Sequence, residues 1–177
     1  MRRLVTSRLE LVPATIELLD AELESVAALA SLLGARVPEG WPPGEYDRPA
    51  IEYFRDRLAE SPDAAGSYSW YALTRPEAGM PQTAVGAGGF HGPPDADGVV
   101  EIGYSVLPVF EGRGYATEIV RALVQEAFAS GRVKRIIART TTANAGSIQV
   151  LERAGFRSVG PGQDPGTVEY AQVAPGT

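Results

Sequence analysis

Apolar residues recur along the chain with two different periods, which predict two kinds of secondary structure. Apolar side chains three and four residues apart predict helices, whereas alternating or short apolar runs bounded by glycine and proline predict strands. The expected helices cover residues 15–33 and 47–60, a glycine-led segment at 112–129, and a short stretch at 144–154. The expected strands cover residues 4–12, 68–74, 84–90, 99–107, 135–140, 156–159 and 167–173.

The order of these segments predicts the fold class. Some strands are joined by short links and others by helical crossovers, which favours an α+β or α/β-type protein with a mixed sheet. Residues 36–48 are rich in proline and glycine around Trp41 and Tyr46. Aromatic rings need a surface to pack on, so this segment is expected to be a structured loop. The length of 177 residues suits one domain spanning 1–177.

Composition removes several kinds of chemistry. The chain has no cysteine and one histidine, His91, which excludes a disulfide framework, a cysteine nucleophile and a histidine zinc cluster. Any metal site would need carboxylates, and none is expected. The net charge of −6 argues against binding nucleic acid and is compatible with cationic substrates such as amines. No membrane-length apolar run or signal peptide is present, so we expect a cytoplasmic protein.

The strongest local motif is a strand followed by a glycine turn and a helix. After the strand at 99–107, Gly112 and Gly114 stand one residue apart before the apolar helical pattern begins. Paired glycines let successive backbone N–H groups converge, and the helix directs its positive end to the same point. Such a turn suits a pyrophosphate, to which the Thr117 hydroxyl could add a donor. The same spacing is equally typical of a plain turn before a helix.

Two other phosphate-binding loops do not fit the sequence. A Walker loop needs Gly-Lys-Ser/Thr after four intervening residues, and the chain has no such string. The glycine-rich segment 86–92 has its third glycine out of place for a dinucleotide fingerprint and is followed by prolines rather than a helix. Its glycines favour a strand that another part of the chain approaches closely.

A second motif reads Asn144-x-x-Ser147, then Leu151-Glu152-x-x-Gly155-Phe156. By itself it indicates an asparagine-capped helix with a glycine stop. Together with 112–118, Gly-Arg-Gly-Tyr-Ala-Thr-Glu, it resembles the GNAT superfamily of acyl-CoA-dependent N-acetyltransferases. The residues at 112–118 and those at 6–11, Thr-Ser-Arg-Leu-x-Leu, are most similar to those of the ribosomal-protein-alanine acetyltransferases (RimJ and RimL).

This resemblance implies a strongly bent, mostly antiparallel sheet flanked by helices. Its fourth and fifth strands, here 99–107 and 135–140, would splay apart and admit the pantetheine arm of acetyl-CoA, the co-substrate. Asn144 would hold the pantetheine or acyl region. The resemblance implies backbone contacts to pantetheine from Ser105, Val106 and Leu107, and pyrophosphate contacts from Gly112, Arg113, Gly114, Tyr115, Ala116 and Thr117.

The chain departs from the family pattern at two positions. Glu111 stands where the signature usually has Arg or Gln; we expect its carboxylate to face solvent, with Arg113 partly offsetting its charge. Leu151 stands where many relatives carry the tyrosine that protonates the departing thiolate. Ser147 is the nearest hydroxyl in the motif, so it is either the general acid or an ordinary polar residue early in the helix.

The reaction that the resemblance implies is attack of a neutral primary amine on a thioester, which needs a group to accept a proton. Glu101 lies mid-strand between apolar neighbours, so we expect a raised pKa suited to a base, directly or through water. The alternative is a structural carboxylate. His91 could also serve, or be a polar edge residue. A backbone N–H near Val106 or Leu107 would meet the oxyanion. Without cysteine, direct transfer in a ternary complex is favoured.

The acceptor is less well defined. Trp41, Trp70 and Tyr104 are candidates for an acceptor pocket, with Trp41 lining it or forming a lid; core packing is the alternative. The predicted function is acetyl transfer from acetyl-CoA to a small-molecule amine or a protein N-terminus, by a monomer or homodimer. A non-catalytic acyl-CoA sensor is the first alternative, and an α/β nucleotide-binding domain of another fold is the second.

Overall fold

The computed structural model describes residues 2–176 and contains an eight-stranded sheet. The strands are β1 (Leu4–Val5), β2 (Leu9–Pro13), β3 (Ser69–Thr74), β4 (Ala84–Phe90), β5 (Val99–Val106), β6 (Arg135–Thr141), β7 (Arg157–Pro161) and β8 (Thr167–Val173). The helices are α1 (Ile16–Glu24), α2 (Val26–Leu33), α3 (Arg48–Glu60), α4 (Tyr115–Ala129) and α5 (Ala145–Arg153).

The strands follow the order β1-β2-β3-β4-β5-β6-β8-β7 across the sheet. Every neighbouring pair is antiparallel except β5 and β6, which α4 joins as a parallel crossover. The expected mixed, mostly antiparallel sheet is therefore confirmed. No helix within residues 2–176 is both long and apolar enough to cross a bilayer.

Helices cover both faces of the sheet because each strand directs alternate apolar side chains to opposite sides. On one face α4 buries Ile119, Val120 and Leu123 against β4 and β5. On the other face, α1, α2 and α3 pack apolar side chains such as Leu19 around the buried ring of Tyr71. Burial of each large apolar side chain contributes about 1.5–3 kcal/mol, so both cores fix the sheet between the helices.

Two predicted elements are interrupted by local hydrogen bonds. The opening strand splits into β1 and β2, because the Thr6 N–H turns back to the Leu9 carbonyl at 2.9 Å. The first helix divides at Ser25, whose N–H closes α1 onto the Ala21 carbonyl while its hydroxyl accepts from the Ala28 N–H to begin α2. Ser25 supplies hydrogen bonds to the end of α1 and to the start of α2, so the two helices follow each other without a loop. The apolar pattern therefore continues across the break.

The parallel pair β5–β6 opens into a wedge. Pairing runs only from Val99 to Glu101 on β5 and from Arg135 to Ile137 on β6. Beyond these residues β5 continues beside β4, and β6 continues beside β8. The two strands predicted to splay therefore do so, and the opening faces the start of α4.

Candidate active site

A cleft of about 780 Å³ occupies the wedge between β5 and β6. Its walls are the second half of β5, the end of β6, the glycine turn before α4 and the first turns of α5. Of the residues predicted for the site, those that line the cleft are Tyr104, Ser105, Val106, Gly112, Gly114, Tyr115, Ala116, Thr117, Asn144 and Ser147. The structure thus brings the two sequence motifs together around one opening.

The backbone of β5 alternates between β4 and the wedge. The Leu107 N–H donates to the Val85 carbonyl of β4 at 2.9 Å, so this peptide faces β4. Since peptide directions alternate along an antiparallel strand, Ser105 also faces β4, whereas the backbone groups of Tyr104 and Val106 face the wedge. An extended ligand in the wedge could therefore pair with the backbone at Tyr104 and Val106.

This alternation refines the pantetheine contacts expected on β5. Val106 fits the expectation through its backbone. Leu107 does not, because its N–H is bound to β4 and its carbonyl accepts from the Phe110 N–H at 2.9 Å. Ser105 can reach the cleft with its hydroxyl, which lies beside Gly44, but its backbone groups are directed to β4. The available oxyanion donors are thus the N–H groups of Val106 and Tyr104, not that of Leu107.

The turn before α4 has the conformation expected of a backbone anion site. Gly112 and Gly114 have φ angles of +72° and +81°, which L side chains rarely adopt. Gly114 is the N-cap of α4 and supplies no side-chain cap, so the first helical N–H groups open toward the cleft. The Thr117 hydroxyl lies on the same wall. The turn can therefore bind a phosphate group through its backbone.

The side chain of Arg113 does not line the cleft. One guanidinium nitrogen donates to the Val109 carbonyl at 3.1 Å, and the group lies over the Phe110 ring at 5.4 Å. Any contact of Arg113 with a phosphate would come from its backbone. Glu111 is exposed at the rim of the cleft, in agreement with the expectation that its carboxylate faces solvent.

Glu101 lies in an ion-pair network rather than in an apolar setting. Its Oε2 is 2.6 Å from Arg139 Nη1, and Arg139 Nε donates to Glu169 Oε2 at 3.2 Å. The contact with His91, followed by the charge on Arg139, lowers the pKa of Glu101 despite its partial burial. The expected raised pKa is therefore wrong, because the neighbouring strands supply positive charge that the sequence around Glu101 does not reveal.

Two hydroxyl groups meet across the cleft between β5 and α5. The Tyr104 hydroxyl lies 2.9 Å from Ser147 Oγ and 3.2 Å from the Ser147 carbonyl oxygen. Burial raises the pKa of Tyr104. Asn144 Oδ1 accepts from the Ser147 N–H at 3.0 Å and so fixes the start of α5, while Leu151 is buried behind it. Ser147 therefore shares its proton with a tyrosine that comes from a different element than the family pattern suggests.

Two of the three aromatic residues predicted for an acceptor pocket lie in the core instead. The Trp41 indole is 6% exposed and donates to Glu22 Oε1 at 2.6 Å. Glu22 Oε2 also accepts from the hydroxyls of Tyr46 and Tyr71. Trp70 is 3% exposed in the core beneath α4. Trp41 and Trp70 are thus packing residues. The Trp41 ring is buried beside Glu22 and the Trp70 ring on the opposite face of β3. Of the three aromatic residues, Tyr104 lines the cleft.

The sequence analysis missed three residues of these networks. Arg139 and Glu169 face each other across β6 and β8, and the parallel register brings β6 next to Glu101. The alternation along the predicted strand at 135–140 indicates which of its side chains share a face. It does not indicate which strands lie beside it, so it could not place Arg139 next to Glu101 and Glu169. Glu22 lies in a helical segment where a charged residue normally faces solvent, so no local signal marked its burial among three aromatic donors.

Comparison with known proteins agrees with this geometry. Residues 8–157 match the family described as Acetyltransferase (GNAT) domain. A curated relative from Bacillus subtilis, an uncharacterized N-acetyltransferase named YjdG, is 33% identical over 153 residues, which cover 86% of this chain and 88% of the relative. The family match at 8–157 spans the strand, the glycine turn and the capped helix that form the cleft.

Solved structures share the fold at low sequence identity. Ribosomal-protein-S5-alanine acetyltransferase from Vibrio fischeri has a TM-score of 0.68 at 14% identity, covering 99% of this chain and 98% of that one. RimL, a ribosomal alpha-N-protein acetyltransferase in complex with coenzyme A, has a TM-score of 0.67 at 17% identity, covering 97% and 98%.

Proposed function

Because this chain belongs to the GNAT family and is an acetyl-CoA-dependent N-acetyltransferase, we propose that it transfers the acetyl group directly to a primary amine within the β5–β6 wedge. Acetyl-CoA is the co-substrate and an amine is the acceptor. The family assignment supports the catalytic interpretation and not the non-catalytic sensor.

The placement of acetyl-CoA follows from the walls of the cleft. The backbone of residues 112–117 holds the pyrophosphate at the open N-terminus of α4. Val106 pairs with the pantetheine arm through its wedge-facing backbone, and Asn144 stands on the opposite wall beside the acyl region. The Tyr104 N–H, one step farther along the strand, meets the thioester oxygen, where it stabilises developing negative charge.

Direct transfer needs a proton donor for the departing sulfur. The Tyr104–Ser147 hydroxyl pair lies across the cleft from α4 and supplies it, with Ser147 as the group nearest the family's usual position. Glu101, with its neighbours, belongs to the proton-accepting end of β5. As the amine nitrogen bonds to the carbonyl carbon, the carbon–sulfur bond breaks and the sulfur takes up a proton.

The acceptor class is proposed as a protein N-terminus or a small cationic amine. The cleft is lined by the carboxylates of Glu45, Glu111 and Asp164 and by two arginines, Arg139 and Arg153. Arg139 is already paired with Glu101 and Glu169, so the remaining charge is compatible with the approach of a cation. The relatives RimL and the S5-alanine enzyme are named as acetyltransferases of ribosomal proteins. The proposal retains a cytoplasmic location, no nucleic-acid partner, and a monomer or homodimer.

The observation that carries the proposal is the wedge between β5 and β6 with its opening at the glycine turn of α4. The test is thiol release from acetyl-CoA, measured against a panel of amino acids, polyamines and peptides with free N-termini, followed by mass spectrometry of the product. We expect amine-dependent release and a product heavier by one acetyl group. Tight acetyl-CoA binding without release against any amine would contradict the proposed transfer.

A further inference from the structure

His91 is held at the end of β4 by its cross-strand partner. Its N–H donates to the Glu101 carbonyl oxygen at 3.0 Å, and its imidazole Nδ1 lies 3.4 Å from Glu101 Oε2. Arg139 binds the same carboxylate oxygen at 2.6 Å. The carboxylate therefore fixes one nitrogen of the ring from behind.

The other nitrogen of the ring lies beside Gly103, a residue of the cleft wall. A Cβ atom placed on Gly103 would lie 3.4 Å from His91 Nε2, so the ring edge lies directly over this glycine. Gly103 lines the cleft and adjoins Tyr104, whose N–H faces the wedge. The side chain of His91 is 53% exposed, so the ring is not enclosed by the core.

We propose that His91 Nε2 accepts the proton of the acceptor amine and that Glu101 is the positioning residue that holds the imidazole. The inference rests on the proposed acetyl transfer. The carboxylate receives the Nδ1–H and thereby leaves Nε2 as the acceptor. Arg139 and Glu169 complete the support, since the guanidinium bridges the two carboxylates at 2.6 and 3.2 Å.

Glu101 itself is poorly suited to accept the proton. Its lowered pKa makes it a weak base, and its Oε2 already contacts both His91 and Arg139. An imidazole has an ordinary pKa near ~6.5, where a general base is most effective at neutral pH. The sequence therefore indicates Glu101 on β5 as part of the proton-accepting group, whereas the geometry favours His91, at the end of β4, as the base itself.

The groups that face His91 come from four elements. Glu101 approaches from β5, and Arg139 and Glu169 stand behind it on β6 and β8. On the α3 side, the Tyr53 hydroxyl lies 3.5 Å from the His91 carbonyl oxygen. Glu101 is the negative group in direct contact with the ring.

The proton balance is complete without another reactant. An ammonium acceptor gives one proton to Nε2 and becomes the neutral nucleophile. The imidazolium passes this proton to solvent. As the carbon–nitrogen bond forms, the nitrogen gives its second proton to the freed Nε2, and the sulfur gains one from the Tyr104–Ser147 pair as the carbon–sulfur bond breaks. The hydroxyl pair regains its proton from solvent, and the imidazolium loses its own. The products are an amide, a thiol and one released proton.

The first experiment measures the ring directly. His91 is the only histidine of the chain, so its imidazole signals in an NMR spectrum are unambiguous. We expect the nitrogen chemical shifts of the neutral ring to show the proton on Nδ1, which faces Glu101, in the wild type and to lose this preference in Glu101→Gln. Identical tautomer populations in the two proteins would overturn the positioning role of Glu101, whether or not an acceptor is known.

The second experiment compares rates across pH with the best amine of the panel. His91→Gln should lose about 10²–10⁴-fold in kcat and the lower inflection of the pH profile, with unchanged affinity for acetyl-CoA. Glu101→Gln should lose less and keep an inflection, because the imidazole is still present. Tyr53→Phe, a matched control at the His91 backbone, should keep the wild-type profile.

The outcomes separate the two proposals. Wild-type turnover together with an equally active, folded His91→Gln variant overturns the base while leaving acetyl transfer intact. A larger loss in Glu101→Gln than in His91→Gln, with the inflection abolished, returns the base to the carboxylate. No thiol release by the wild-type protein with any amine overturns acetyl transfer and the base with it.

Discussion

The two ends of the catalytic region are built on different principles. The end proposed to bind acetyl-CoA consists of backbone: wedge-facing peptides of β5, two left-handed glycines and the N-terminus of α4. The region expected to receive the acceptor depends on side chains instead. There Trp41 is bound to Glu22 in the core, and His91 and Glu101 contact each other beside Gly103, which lines the cleft.

The difference explains which of the predicted site residues lie in the wall of the cleft. A backbone site needs glycines at fixed positions in a strand–turn–helix order, and that order is readable along the chain. A side-chain site depends on which residues neighbouring strands bring together, and that information lies in the register. Substitutions can therefore test whether CoA is recognised by backbone groups and the acceptor by side chains.

The largest expected effect is on the backbone end. Gly114→Val should reduce affinity for CoA by more than about 100-fold, because a β-branched residue at a φ of +81° distorts the turn that presents the N–H groups. Isothermal titration with CoA measures the effect. Gly131→Val is the matched control, since it has a φ of +71° at the far end of α4 and open space around it. Equal affinity of a folded Gly114→Val variant and the wild type would remove the turn from the CoA site.

The next effect concerns the hydroxyl pair. Tyr104→Phe and Ser147→Ala should each lower kcat by about 10–100-fold while CoA affinity changes little, because a proton donor acts in the chemical step. The double variant should lose little more than either single variant, since the two hydroxyls act as one unit. Steady-state kinetics of the four proteins provides the comparison. Independent, fully additive losses would show that the hydroxyls do not act together.

A stability effect distinguishes Trp41 as core from Trp41 as a pocket residue. Trp41→Phe removes the donor to a buried carboxylate and should cost about 1–3 kcal/mol in the free energy of unfolding. The KM for the amine should change little. Urea denaturation and steady-state kinetics together decide the matter. A raised KM at unaltered stability would return Trp41 to the acceptor pocket.

The smallest effect is a pH dependence of stability. Burial raises the pKa of Glu22, so the folded state binds its proton more tightly than the unfolded state does. Its contribution to stability is therefore fully present below the unfolded pKa and is lost as pH rises through the folded pKa. Relative to Glu22→Gln, the wild type should lose stability from pH 4 toward neutral pH in urea titrations. The opposite trend would mean that the three aromatic donors outweigh burial.

The sequence was sufficient for the fold and for most of the residues that line the cleft. Asp47 and Asn144 cap α3 and α5 where the pattern placed them, and β4 has its predicted bounds. The sequence failed where one residue serves two elements, as at Ser25, or where distant residues meet, as at Glu22. Hydrophobic period reports which side of an element is buried, but it does not report which polar groups are buried with it.

The most direct test of the central claim is amide hydrogen exchange of β5 with and without saturating CoA. The amides of Tyr104 and Val106 face the wedge, whereas the Leu107 amide is bonded to β4 and serves as an internal control. We expect CoA to slow exchange at Tyr104, Val106 and residues 112–117 and to leave Leu107 unchanged. Saturation with CoA without added protection at Tyr104, Val106 or the glycine turn would contradict binding in the wedge.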